Sequence, residues 1–386
     1  MPNTLLIPTP TTGLKPLERL ELPAHSPARA SNRNSDGPCQ IDAHNDLEAV
    51  DSWLRRVKDS PQTFRSYRKE IERLLLWAQG QGRTIGDLNA DDLSRYKDFL
   101  ADPQPAHHWC GPRLSREHDD WKPFEGPLKP RSINQALVII GSAFSYWTAA
   151  GYLRGNPMAL VNKKRLGQQI RGGKTVERYL ELDLWRYLWR FITSLPAETP
   201  AQRNHAERVR FLFALLYLQS PRVSEVAGHR MGDFIELRGR WWWRITGKGN
   251  KTERIPVKTD MLKALARYRR HLGLPPLPQP DEDTPLVCSL GGKAPISADM
   301  VYRLVKQTCA AAADDLALIS PQKAAWLRRA STHWMRHTSL THQAERGVNL
   351  RYLQASARHA SIETTQRYLH TEEDSWHKAM NASGLD

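Results

Sequence analysis

Six side chains in the second half of this 386-residue chain have the types and order needed to transfer a phosphoryl group without a metal: Arg222, Lys248, His333, Arg336, His359 and Tyr368. Direct displacement at a phosphodiester requires a nucleophile, donors for charge on the non-bridging oxygens, and a proton for the departing oxygen. A tyrosine can attack phosphorus and keep the product covalently, which conserves the bond energy for resealing and makes ATP unnecessary. Guanidiniums offer planar donor forks that hold two phosphate oxygens at once, a task lysine does less well. Imidazoles can donate to the same oxygens or handle the tyrosine's proton.

The elements that must carry these groups are readable locally. Arg222 lies in Ser220-Pro-Arg-Val-Ser-Glu225, directly after the apolar run 211–218. Pro damages a helix interior but is favoured in a first turn, so Ser220 reads as an N-cap and Arg222 as part of the helix that follows. Lys248 lies in Gly247-Lys-Gly-Asn-Lys251, between two strand-like runs, and should stand on a hairpin tip. His333 and Arg336, in His333-Trp-Met-Arg-His337, are three apart and share one helix face. Tyr368 follows His359 by nine residues.

These boxes resemble those of the tyrosine recombinases, also called phage integrases. That family has Arg in an R-[IV]-S-E box, a hairpin Lys in G-K-G, then H-x-x-R-H, then G-H with a Tyr nine residues on. Every polar member is matched in order here, and the resemblance runs from about residue 178 to the C-terminus. It implies Tyr368 as nucleophile, Arg222, His333, Arg336 and His359 around the phosphate, and Lys248 as the acid for the 5′-hydroxyl leaving group. Glu225 would orient its neighbours. Three features depart from the pattern: Ser220-Pro221 replaces Gly-Leu, Ala357-Arg358-His359 replaces Leu-Gly-His, and Trp241-Trp242-Trp243 leads to Lys248. The missing Gly matters if the backbone at residue 358 needs a positive φ. Alternation sends Trp241 and Trp243 to one strand face and Trp242 to the other, so both faces should be covered.

Each residue has a rival. His337, His342 and His370 show that histidines are plentiful here, Lys251 competes with Lys248, and Tyr352 competes with Tyr368. Leu350, Tyr352 and Leu353 read as a packed helical stripe, which places Tyr352 in the core. His107, His108, Cys110 and His118 match no standard zinc spacing, and no acidic cluster suits a two-magnesium nuclease. No cofactor or metal is expected.

A net charge of +15 favours a polyanionic partner, nucleic acid or an anionic membrane. No apolar run approaches the roughly 18 residues of a membrane span, and the N-terminus lacks a signal-peptide pattern, so a cytoplasmic protein is expected. Four scattered cysteines suggest no disulfide framework.

The expected fold is mainly α with a small antiparallel β-sheet: a helical N-terminal core-binding domain plus a catalytic domain. Residues 1–44, rich in Pro, Ser, Asn and Thr, read as a disordered tail. Residues 45–157 read as four helices; Val50, Trp53, Leu54 and Val57 make the first stripe and Phe64, Tyr67, Ile71, Leu74 and Leu75 the second. The family's N-terminal domain is likewise a four-helix DNA clamp. Within it, the long Pro-containing segment 102–129 should be functional or disordered. Residues 158–177 form a basic linker, and 178–386 the catalytic domain with strands near 233–237, 241–246 and 253–257. No internal repeat is present.

The resemblance implies a site-specific recombinase acting on double-stranded DNA with paired sites, as a homo-tetramer that exchanges strands through a Holliday junction, with an accessory directionality protein possible. A type IB topoisomerase or a catalytically silent DNA-binding relative are the competing readings. Trp376 and Met380, four apart beyond Tyr368, would form a short apolar face for packing if helical.

Overall fold

The computed structural model describes residues 14–21, 32–161, 178–247, 252–291, 294–359 and 361–366. The chain divides into two units, Met1–Thr175 and Val176–Asp386.

The first unit is built on α1 (Asp46–Arg55), α2 (Pro61–Gly80), α3 (Ala90–Ala101), the single turn α4 (Ala106–Trp109) and α5 (Pro130–Ala149). Pro61 and Pro130 sit in the first turns of their helices, where a missing N–H costs nothing. Asn89 and Asp92 cap α3 reciprocally. The stripes meet in one aromatic-rich core, where Trp53 stacks on Tyr67 with ring centroids 4.9 Å apart.

Three sequence expectations meet the structure here. Residues 14–21 and 32–44, expected within a disordered tail, pack on this unit: Leu20 and Ala43 are buried, and Asn32 and Asn34 bond the main chain at residues 86 and 151–155. The segment crosses Gly151, whose φ is +75° and where a Cβ would lie 2.2 Å from the Pro38 carbonyl oxygen. Segment 102–129, expected to be functional or disordered, is ordered, because Trp109, Trp121 and Phe124 enter the core and Arg73 donates to the Pro123 carbonyl at 3.0 and 2.8 Å. Met158 and Val161, expected in the linker, also join this core; residues 162–177 lie outside the described residues.

The second unit begins with α6 (Leu182–Thr193), α7 (Pro200–Gln219) and α8 (Val223–Gly228), then an antiparallel sheet in the order β1 (Phe234–Leu237), β2 (Arg240–Thr246), β3 (Thr252–Pro256). Five helices follow: α9 (Thr259–His271), α10 (Ala298–Ala317), α11 (Pro321–Arg329), α12 (Thr332–Glu345) and α13 (Leu350–Ala357), with a last short helix α14 (Ile362–Gln366). Arg238 and Gly239, both at positive φ, close the two-residue β1–β2 turn. Of the tryptophan run, Trp243 is fully buried against Phe234, while Trp241 and Trp242 are half-buried. Thr246 pairs with Thr252 at the base of the β2–β3 connection. The core gathers the inner faces of α6, α7 and α9–α12 over the sheet.

Candidate active site

Both arginines are set by helix ends that turn left-handed. At the end of α7, Ser220 adopts φ 50° and ψ 41°, so it is the C-cap of α7 and not the expected N-cap of the next helix. Its hydroxyl is 2.6 Å from that of Ser339 on α12, which anchors the turn. Pro221 and Arg222 are not helical; Arg222 is the N-cap residue of α8, and its N–H donates to Glu225 Oε2 at 2.6 Å. At the end of α13, Arg358 adopts φ 52° and ψ 49°. The backbone there does take the positive φ for which glycine is suited, and this chain reaches it with an arginine.

These two turns aim carbonyl oxygens at the guanidiniums. Buried Arg336 donates from Nη1 to the Ser220 carbonyl and from Nη2 to that of Ala357. Arg222 donates from Nη2 to the Arg358 carbonyl at 3.0 Å and from Nη1 to Glu225 Oε1 at 2.9 Å. Successive carbonyls of one turn therefore hold both arginines, and the next residue is His359.

The histidines answer to the same charges. Burial, then Arg336, Arg222 and Arg358, push His359 down to about 4, and its Nδ1 is 2.9 Å from the Thr365 hydroxyl. His333 is lowered by desolvation and then by Arg336 and Arg178. Its Nε2 lies 2.6 Å from Nε2 of His337, one turn along α12, so the pair shares a proton. His337 is pushed down to about 4, by burial and then by His333, Arg336 and His359. At neutral pH these rings are uncharged, and an arriving anion would raise them. His342 is different: it packs on Tyr217, whose hydroxyl is 3.0 Å from its Nδ1, and reads as structural.

Two residues that sequence reasoning did not place in the site converge on Glu225. Arg358 donates from Nε and Nη2 to its two carboxylate oxygens at 3.2 and 2.6 Å. Burial raises the Glu225 carboxyl, but Arg358 and the Arg222 N–H outweigh it and hold the group below its ordinary value. His229 lies 2.8 Å through Nδ1 from the Glu225 carbonyl, which can only accept, so Nδ1 carries the proton. Its Nε2 then accepts the Thr246 N–H at 2.9 Å, tying α8 to the base of the β2–β3 connection. The departure from Gly at residue 358 was a signal for the first; the spacing of four from Glu225 was a weak one for the second.

Lys248, its rival Lys251, Tyr368 and His370 lie outside the described residues, as do Trp376 and Met380. Tyr352, expected in the core, is 71% exposed. The reason is that α13 buries only Leu353 and Ala357, four apart, against Leu340, and Tyr352 lies about 100° around the helix from that line. Among the described residues no group of three or more His, Cys, Asp or Glu could hold a metal ion, and no helix is long and apolar enough to cross a membrane.

Residues 194–374 match the phage integrase family. The XerD tyrosine recombinase of Xanthomonas axonopodis pv. citri is 26% identical over 313 residues, covering 80% of this chain and 86% of that protein. That of Staphylococcus saprophyticus is 28% identical over 299 residues, covering 77% and 91%. The fold is that of the Tn1549 transposon integrase solved in complex with transposon right end DNA, with a TM-score of 0.61 at 16% identity over 87% of this chain and 98% of that one. The XerH site-specific recombinase bound to palindromic difH substrate gives 0.59 at 14% identity over 90% of each. Residues 194–374 are a phage integrase family domain, and the XerD relatives support membership of the tyrosine recombinase family. The chain is a tyrosine site-specific recombinase.

Proposed function

We propose that this enzyme cuts and rejoins double-stranded DNA at paired sites through a 3′-phosphotyrosyl intermediate on Tyr368. The observation that carries the reading is the convergence of Arg222 and Arg336 on adjacent carbonyls, those of Ala357 and Arg358, directly before uncharged His359. Two guanidiniums fixed in this way suit the two non-bridging oxygens of one phosphate. His333 and His359 donate to those oxygens or take the tyrosine's proton. Lys248, on the connection between β2 and β3, delivers a proton to the 5′-oxygen as it leaves. The sequence boxes support the last role, and so does the net charge of +15 for a DNA partner. Solved relatives of the same fold are complexes with DNA substrates. In this reading the first unit clamps DNA, four protomers synapse two sites, and strands exchange pairwise through a Holliday junction.

A nicked suicide substrate tests it. The wild type should form an SDS-resistant protein–DNA adduct, and Tyr368→Phe should form none while still binding DNA. An adduct from Tyr368→Phe that disappears in Tyr352→Phe would transfer the role to the exposed tyrosine. Relaxation of any supercoiled plasmid, without paired sites, would make the enzyme a topoisomerase.

A further inference from the structure

We infer that Arg358 is a positioning residue that keeps Arg222 available to the phosphate by holding the carboxylate between them, an inference that rests on the reading just given. The Arg358 side chain is 4% exposed and commits Nε and Nη2 to Glu225 and Nη1 to the Ser356 carbonyl, so its fork is turned to its own neighbours and not to a phosphate. The Arg222 side chain is 40% exposed and opens outward. Between them Glu225, 3% exposed, receives both oxygens' worth of donors from Arg358 and a single Nη1 from Arg222.

That division of donors is the device. A carboxylate and a guanidinium left alone pair as two parallel bonds, which cancels the guanidinium's charge and occupies one edge of its fork. Arg358 takes the two-bond arrangement, and Arg222 is left tethered through Glu225 Oε1 and its own N–H, with Nη2 on the Arg358 carbonyl. The same residue thus contributes a carbonyl to orient Arg222 and a side chain to occupy its competitor. Holding an arginine at φ 52° has a backbone cost that glycine would not have, so the side chain's contacts must be what keeps it there.

The test uses full-length Arg358→Gly, Arg358→Lys, Glu225→Gln and the Arg358→Gly/Glu225→Gln double variant. Arg358→Gly should bind a half-site within about threefold of wild type and form the suicide-substrate adduct roughly 10- to 100-fold more slowly, the range for partners that orient a reacting group. Adding Glu225→Gln should recover most of that loss, because a neutral amide cannot cancel Arg222. A purely structural role predicts no such recovery. Wild-type cleavage by Arg358→Gly, or a double variant no faster than Arg358→Gly, overturns the inference. If Arg358→Gly does not fold, Arg358→Lys carries the same comparison, slowed and then rescued by Glu225→Gln. If wild type forms no adduct, the phosphoryl-transfer reading fails by itself. The coupling is then read by calorimetry with inorganic phosphate, weakened at least about threefold in Arg358→Gly and restored in the double variant; no change would sink it.

Discussion

The arginine network of the first unit and the arginines of the site are held differently. In the first unit each of four guanidiniums meets a carboxylate: Arg73 with Glu70, Arg116 with Glu72 and Glu18, Arg83 and Arg95 with Asp92, with Arg73 also donating to the Pro123 carbonyl. Arg269 and Glu282 repeat that pattern in the second unit, away from the site. At the site, Arg336 is held by the carbonyls of Ser220 and Ala357, and Arg222 divides itself between Glu225 and the Arg358 carbonyl. A carboxylate fixes a guanidinium and cancels it. A carbonyl fixes it with a partial charge only, so most of its positive charge remains for a ligand. Burial first, and then the neighbouring guanidiniums, depress the pKa values of His337 and His359.

The contrast can be broken most directly at the site arginines. Arg222→Ala or Arg336→Ala should slow single-turnover cleavage about 100- to 1,000-fold, since donors aimed at developing charge act mainly in the transition state. Half-site binding by gel shift should change far less. Equal losses in both would put these arginines on the docking surface and remove the distinction between the units.

Acid should separate the units more gently. His337, His342 and His359 have folded values of about 4 against an ordinary 6.5, so unfolding takes up protons and the second unit loses stability as pH falls from about 6.5 toward 4. Their contribution is fully present above 6.5. The groups facing them are Arg178, Arg186, Arg222, Arg336, Arg346, Arg358 and His333, with the Leu180 main chain acting the other way on His342. In the first unit the described histidine held low is His108. Hydrogen exchange at pH 7.5 and 5.5 should therefore show more loosening in peptides from 178–359 than in those from 32–161. The reverse order would contradict the placing of these buried, neutral histidines beside the site's arginines.

The smallest effect on chemistry should come from the first unit's own arginines. Arg116→Gln leaves Glu72, 1% exposed, with the Leu17 N–H but without its arginine, and should cost about 3 kcal/mol of stability, measured by urea unfolding. Cleavage at a temperature where the variant is folded should stay within about twofold of wild type. A large rate loss would mean that this network also serves the reaction.

Much of this architecture was legible in the sequence, because periodicity reports burial. The stripes from Val50 and Phe64 became α1 and α2, the runs beside Gly247 became β2 and β3, and His333 and Arg336 share α12 as their spacing required. What the sequence hid was held by contacts between distant residues. Asn32 and Asn34 carry no periodic signal, yet their amides fix an otherwise Pro- and Ser-rich segment. Ser220 looked like an N-cap because its turn depends on Ser339, 119 residues away. Tyr352 looked buried because a stripe does not reveal how narrow its partner surface is. Arg358 reaches Glu225 across 133 residues, so its departure from Gly could be seen in the sequence but its partner could not, and the spacing of His229 from Glu225 was only a weak signal.

The crossing at Gly151 also sets where this protein can be trimmed. A chain shortened to begin at α1 would lose the segment whose Pro38 carbonyl sits where a Gly151 side chain would be, and with it the bonds from Asn32 and Asn34. Deletions and fusion junctions are therefore better placed before residue 14, because Leu17 and Glu18 also bond Glu72 and Arg116. A head grafted from a relative would need to meet a glycine at this position.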